Sequence, residues 1–450
     1  MVVPTPRRAA AGPVLLHSIA GPPGSTLARR LERTPFPYGE LRPLVGPFPR
    51  PVVHVSATAE QLGEASAGLP DGAARAEAVA VRLRRAGVDL EWGPPSAVPD
   101  LASLVRLSHA RGVSSVELVR ADPSLLAEMQ IGAYFHAYWR VRVRRRALVR
   151  LRAPRSGRWT PSRLAHPAAD AAFWRGVRSA ATDREWERFA SSSYLVVYYH
   201  GISGERTPGY EHLNVRPRTF ERHLRLLRLL GLRPLSPDDL LAFHADPDAT
   251  IDGRHYVLAA DDGIAETVAA FRRHGHLQPQ MFVCTGHVGE RSRWSDDAPL
   301  ARWDELRELD VSGGHVGSHS RGHTPLTELA PDALATELSG ALHDLEAQLT
   351  RFTHLLAYPH GAHDDRVRRA AIEAGYRAAF TTEPGRNGAG TDLYCLRRIE
   401  LKDWDGAFAL LWIALTGEPL PWRLERTRRR LKGVPARRTD ARAPAPTAPS

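Results

Sequence analysis

An α/β fold built on parallel strands is what this sequence predicts, and three observations predict it. Beyond residue 191, short β-branched or aromatic runs alternate with helix-period segments, the intervals between runs are long enough for a crossover helix, and polar residues collect directly after the runs. The runs are 194–199, 256–260, 281–285, 315–318, 354–358, 378–382 and 396–401. Alternation of this kind implies right-handed crossovers in an open doubly wound sheet or a closed barrel. In either architecture, functional groups belong at the carboxyl ends of the strands.

The preceding residues read as a smaller α/β region. Runs at 51–55, 88–92 and 114–119 predict strands, with helical patterns at 73–86 and 101–110 between them. Residues 127–151 read as a helix that ends in arginines, and 153–166, rich in Pro, Arg and Ser, as a linker. The expected organisation is an N-terminal α/β region over 1–152, a linker and helix over 153–190, the main α/β domain over 191–418, and a tail over 419–450. That tail has too little apolar content to fold and is expected to be disordered.

Composition narrows the class. The chain has 450 residues, 43 % hydrophobic and 25 % charged, with 36 Gly and 36 Pro, which excludes collagen-like and wholly disordered readings. Cys284 and Cys395 are its two cysteines, so neither a disulfide scaffold nor a Cys-rich zinc element is expected. Near the N-terminus the apolar run is only 13–16, short of a signal peptide, and the apolar run 407–415 is about half of a bilayer span. A cytoplasmic protein, soluble or peripheral at a membrane, is expected.

The net charge of +11 is local rather than general. Residues 138–158 carry nine arginines and no acid, and 421–450 carry nine basic residues against Glu425 and Asp440. These clusters suit peripheral contact with an anionic membrane. No nucleic-acid partner is expected, because Lys402 and Lys432 are the sole lysines and the arginine richness follows a chain-wide bias toward Ala, Arg, Gly and Pro. A phosphate loop at 21–26 is excluded by the missing lysine.

The chemistry collects at three predicted strand ends. The run 256–260 leads into Asp261-Asp262-Gly263, where a permissive glycine lets two adjacent carboxylates turn toward one centre. The run 315–318 leads into His319-Ser-Arg-Gly-His323, whose two imidazoles at i and i+4 can share a cation. The run 354–358 leads into Pro359-His360-Gly361, a turn whose backbone N–H groups can face the same centre.

In this order and at these intervals, Leu258-Ala-Ala-Asp-Asp-Gly263, Met281-Phe-Val-Cys-Thr-Gly286, Gly314-His-Val-Gly-Ser-His-Ser-Arg-Gly-His323, Ala357-Tyr-Pro-His-Gly361 and Ala374-Gly-Tyr376 resemble the polysaccharide deacetylase family, the NodB-homology carbohydrate esterases. The opening Tyr198-Tyr-His-Gly201 is similar to the branch acting on exopolysaccharides such as poly-N-acetylglucosamine. The resemblance covers about residues 191–415. It implies a distorted (β/α)7 barrel, in keeping with the seven runs, and removal of N-acetyl groups from amino sugars of a polysaccharide or glycan precursor. It further implies Asp262, His319 and His323 as metal ligands, Asp261 as general base, the backbone N–H of His360 as an oxyanion donor, and Tyr358, Pro359 and Trp404 as substrate contacts. Zinc is the default cation, with cobalt, iron or manganese suited to the same donors.

The residue types support these roles on their own. One carboxylate and two imidazoles leave coordination positions open for water and substrate, and a second carboxylate can take the proton from that water. The departures are also specific. Ala357 stands where the family has an arginine that orients the base, leaving Arg377, Arg397 or Arg398 to replace it, and no histidine follows His363 to serve as a late general acid, leaving His360 or His363 to be recruited or the enzyme to be slow or inactive. They keep a catalytically silent, glycan-binding scaffold as the alternative. Iron-dependent oxygen chemistry on the same ligands is a further one, disfavoured because Asp261 would then be idle.

Overall fold

The computed structural model describes residues 19–20, 52–55, 59–86, 90–92, 96–97, 101–135, 139–149, 165–204, 212–295 and 297–420. The expectations for 21–26 and for the tail beyond 420, and all of the 153–166 linker except its last two residues, lie outside them.

In the N-terminal region, Val52–Val55 and Leu90–Trp92 pair antiparallel, as two of the three predicted strands. Helices α2 (Arg75–Arg85) and α3 (Leu101–Ala121) follow the patterned segments, and α1 (Ala59–Ser66) precedes them without having been foreseen. The third predicted strand, 114–119, is instead the C-terminal half of α3. Its buried residues Arg111, Ser115, Val116, Leu118 and Val119 recur at helical spacing, and the Ser115 hydroxyl bonds back to the Arg111 carbonyl. The helix is held there by α5 (Ala165–Ala180): a Cβ on Gly112 would lie 2.1 Å from the Phe173 carbonyl oxygen, so the backbones meet directly.

The single helix expected over 127–151 is divided. Pro123–Ala127 and Gln130–Tyr134 are 3₁₀ turns, the first capped by Asp122, and only Trp139–Val149 (α4) is helical. Two of its arginines face inward. Arg145 is buried on Asp170 of α5 at 2.8–3.1 Å, and Arg142 donates to the carbonyls of Phe135 and Thr416. Helix α6 (Asp183–Ala190), with a Thr182/Glu185 capping box, then delivers the chain to the main sheet.

The parallel strands of that sheet are β1 (Ser193–Tyr199), β2 (His255–Ala260), β3 (Gln280–Val283), β4 (His315–Ser318), β5 (Leu355–Ala357), β6 (Ala378–Phe380) and β7 (Ile399–Glu400), at the seven predicted runs. Each pairs in parallel with the next, from β1 through β6. The ring is completed by a bridge from Phe380 to Leu396 and by β7 pairing in parallel with β1, Ile399 opposite Val197. This is the distorted (β/α)7 barrel. Two short additions were not foreseen: Arg233–Pro234 pairs with β2, and Asn387–Gly388 pairs antiparallel with β1.

Helices α7 (Pro217–Leu229), α8 (Pro237–Ala245), α9 (Ala265–Arg273), α10 (Trp303–Val311), α11 (Pro331–Gln348), α12 (Asp365–Ala374) and α13 (Ala407–Thr416) complete the barrel. Alternate residues of β1 serve different cores. Leu195, Val197 and Tyr199 pack with residues of α7, α9, α10 and α13, whereas Val196 and Tyr198 join Phe282, Ala357 and Phe380 on the inner face. That inner cluster continues into Leu126, Met129, Tyr134 and Phe135, so the N-terminal region and the barrel share one apolar core. Among the described residues no helix is long and apolar enough to cross a membrane.

Candidate active site

Both carboxylates sit where β2 ends. Asp262 and Gly263 adopt left-handed backbone at φ 71° and 76°, a turn that keeps Asp261 and Asp262 on the barrel mouth rather than on opposite faces of a strand. A side chain on Gly263 would also press on Val283 of β3 at 3.0 Å.

After β4, the histidine loop is tied down by its own polar groups. The His319 N–H donates to the Val283 carbonyl at 2.8 Å, the Ser318 and Ser320 hydroxyls accept from the N–H groups of Ser320 and His323, and Glu337 of α11 accepts from Arg321 and Gly322. Ser320 and His323 are left-handed, as is His360 in the turn after β5. Left-handed non-glycine residues therefore concentrate around one point, as strained backbone does at sites of function.

The structure brings Asp262, His319 and His323 together, with one ligand atom of each within 4.8 Å of the others. Asp262 Oδ1 lies 3.6 Å from His319 Nε2 and 3.3 Å from His323 Nε2. That oxygen is buried and makes no hydrogen bond. His319 Nδ1 faces the Ala357 carbonyl at 2.8 Å, which assigns the proton to Nδ1 and leaves the Nε2 lone pair aimed at Asp262. Burial lowers the His319 pKa to about 4, so the ring is neutral near pH 7. An orphaned carboxylate oxygen and a neutral imidazole are the donors a divalent cation needs, and this donor set fits one.

Asp261, 2 % exposed, receives Arg398 Nη1 and Nη2 at 2.7 and 2.9 Å in a bidentate pair. Arg398 also donates to the Thr381 carbonyl and lies over the Tyr198 ring at 4.2 Å. Burial favours the neutral acid, but the charge of Arg398 and its hydrogen bonds lead the interactions that outweigh it and hold Asp261 below its usual range. Of the three arginines that could stand in for the one missing at Ala357, Arg377 is exposed, Arg397 approaches Glu383 at 4.0 Å, and Arg398 takes the base.

Sequence reasoning missed three residues. His200, directly after β1, pairs through Nδ1 with Glu400 at 2.9 Å. Burial would lower its pKa, yet the Glu400 bond and the charges of Asp262, Glu400 and Asp261 raise it. The strand-end rule alone would have found it. Glu400, on β7, came without a motif. Trp294, in the loop after β3, stacks on His323 with centroids 4.3 Å apart and planes 11° from parallel.

The remaining expected residues are placed differently from one another. The His360 ring meets that of His323 at 4.7 Å on the rim, and Pro359 begins its turn. Tyr358 is fully buried, its hydroxyl donating to the Tyr394 carbonyl, so its side chain lies behind the site. Trp404 is exposed, next to Asp403, which accepts from the Arg216 backbone and guanidinium.

Comparison with known proteins gives one family match, to the polysaccharide deacetylases over residues 250–379. No curated protein matches the chain in sequence. Similar solved structures include the Streptococcus pyogenes deacetylase PplD in complex with acetate, at 23 % identity over 51 % of this chain and 100 % of that one, with a TM-score of 0.44. The polysaccharide deacetylase BC0361 from Bacillus cereus aligns at 22 % over 50 % of this chain and 70 % of its own (TM-score 0.42), and IcaB from Ammonifex degensii at 20 % over 50 % and 96 % (TM-score 0.42). The matched segment contains the carboxylate pair, both loop histidines and the Pro-His-Gly turn, and it is over residues 250–379 that this chain matches the polysaccharide deacetylase family.

Proposed function

We propose that the chain is a metal-dependent hydrolase that removes N-acetyl groups from the amino sugars of a polysaccharide or glycan precursor. The observation that carries this reading is the buried Asp262, His319 and His323 cluster beside an Arg398-bound Asp261. A divalent cation on the three ligands, zinc by default, supplies an activated water and polarises the acetamide carbonyl. Asp261 accepts the proton of the attacking water, and Arg398 holds its carboxylate in one orientation. The backbone N–H of His360 donates to the oxygen on which negative charge develops. His200, kept protonated by Glu400, gives a proton to the leaving amine as the C–N bond breaks, and acetate departs. In this reading Arg398 and the His200–Glu400 pair take the two roles that the departures from the family pattern left open.

Acetate release from N-acetylglucosamine oligomers, with chelator and with added metal, tests the reading. Activity lost with chelator and restored by metal is expected, whereas oligomer binding without acetate release under every condition would sink it. In Glu400→Gln, the basic limb of the kcat/KM profile is expected to move to lower pH by about one unit, since His200 loses the partner that keeps it charged. An unmoved limb removes His200 as the acid. Trp294→Ala, which frees the His323 ring, is expected to weaken metal affinity about 10–100-fold by titration.

The proposed setting is the cytoplasmic side of a membrane, with peripheral contact through the arginine clusters.

A further inference from the structure

Helix α13 reads Ala-Phe-Ala-Leu-Leu-Trp-Ile-Ala-Leu-Thr, without one charged residue. A helix apolar on every face belongs in a core or against lipid. Here one face, with Ala409, Leu410 and Ile413, is buried against the α7 side of the barrel, yet the other is open. Phe408 is 52 %, Leu411 40 % and Leu415 73 % exposed, at a spacing that lines them along one side. Trp404 extends the stripe at its start and Leu229, at the end of α7, is 72 % exposed. The helix spans about 15 Å, so it can lie in an interface but not cross one.

Arginines reach both ends of this stripe. Arg216, Arg218, Arg222, Arg225 and Arg228 of the α7 segment are all exposed, and Arg222 donates to the Asp405 carbonyl at the foot of α13. At the other end, the Thr416 carbonyl accepts from Arg142, which docks the arginine-rich α4 there, with Arg140 exposed. The basic segment 421–450 begins a few residues later. Arginines far apart in sequence, Arg142 of α4 and Arg222 of α7, therefore reach the two ends of one apolar helix.

We propose that α13 is a membrane-docking face, its Phe408, Leu411 and Leu415 side chains inserted into an anionic lipid surface while Arg140 of α4 and the exposed arginines of α7 bind the headgroups. The stripe offers an amino-sugar polymer no polar partner, and its arginines repel a deacetylated, cationic product. A symmetric contact with a second copy would set the two arginine rims against each other. The inference rests on the membrane-contact reading for its lipid and is independent of the chemistry in the barrel. Because β7 carries Glu400 only a few residues before Trp404, docking would hold the barrel mouth near the lipid.

Flotation of the full chain with phosphatidylcholine vesicles, with and without phosphatidylglycerol, provides the test. Binding that requires phosphatidylglycerol is expected, weakened on the order of 100-fold in Phe408→Ser/Leu411→Ser/Leu415→Ser with circular dichroism and acetate release from soluble oligomers retained. A polarity-sensitive dye on Leu415→Cys is expected to shift to the blue on vesicle addition, with the wild type and its buried cysteines as control. Salt-sensitive binding that survives the triple substitution, with the dye unshifted, overturns the insertion and leaves the arginine contact standing. No vesicle binding by the wild type overturns both. A triple variant that instead loses oligomer binding, or falls from dimer to monomer, assigns the stripe to glycan or to a second copy and overturns the proposal.

Discussion

Asp262→Asn is expected to lose stoichiometric binding of a divalent cation and to lower acetate release from N-acetylated oligomers on the order of 10³-fold with the fold intact. The cation supplies several kcal/mol of transition-state stabilisation, and each 1.36 kcal/mol is about tenfold in rate. Asparagine is the informative substitution because Asp262 sits at φ 71°, a conformation that asparagine tolerates and alanine resists. It also removes the charge while keeping a buried polar oxygen where Oδ1 now has no hydrogen bond. His319→Ala should act likewise, since it deletes the ring whose Nδ1 is fixed on the Ala357 carbonyl. Asp261→Asn separates the roles: metal is retained and only rate falls, by about 10²–10⁴. Full metal content in Asp262→Asn and His319→Ala, measured by plasma emission, would show the ligand assignment to be wrong.

The barrel was legible because its strands carry a signal no helix shares at that length, such as the residues of 194–199 that fill two cores by alternation. The ligands were legible because parallel-strand ends are where chemistry collects, and Asp262, His319 and His323 all follow such ends. The run 114–119 failed for the converse reason: a short apolar stretch with two serines has no period of its own, and the glycine contact between α3 and α5 that settles it as helix joins Gly112 to Phe173, far along the chain. The pairings of Arg398 and His200 were hidden by distance, their partners Asp261 and Glu400 lying 137 and 200 residues off. No local pattern could choose Arg398 over its neighbour Arg397, because both are buried and only their distant partners, Asp261 for one and Glu383 for the other, tell them apart.

That choice has a measurable consequence. Arg398→Met is expected to destabilise the protein by about 3–5 kcal/mol at neutral pH, because it leaves Asp261 a charge buried without its partner. In the wild type the Asp261 pKa lies below its unfolded value, so the pair's contribution is fully present above the unfolded pKa near 4 and is lost as pH falls through the folded one. In the variant, burial acts unopposed by the arginine and the folded pKa rises above the unfolded one. The sign of the dependence then inverts: the variant's deficit should be small near about pH 4, where Asp261 can be protonated, and grow as pH rises toward neutrality. Asp261→Asn on the Arg398→Met background should return most of the loss, since a neutral amide needs no counter-charge. Urea unfolding of the four proteins of the cycle at several pH values measures both effects. If the single and double variants are equally unstable at neutral pH, Arg398 acts through its packing on Tyr198 and its bond to Thr381, and its place as the holder of the base is lost.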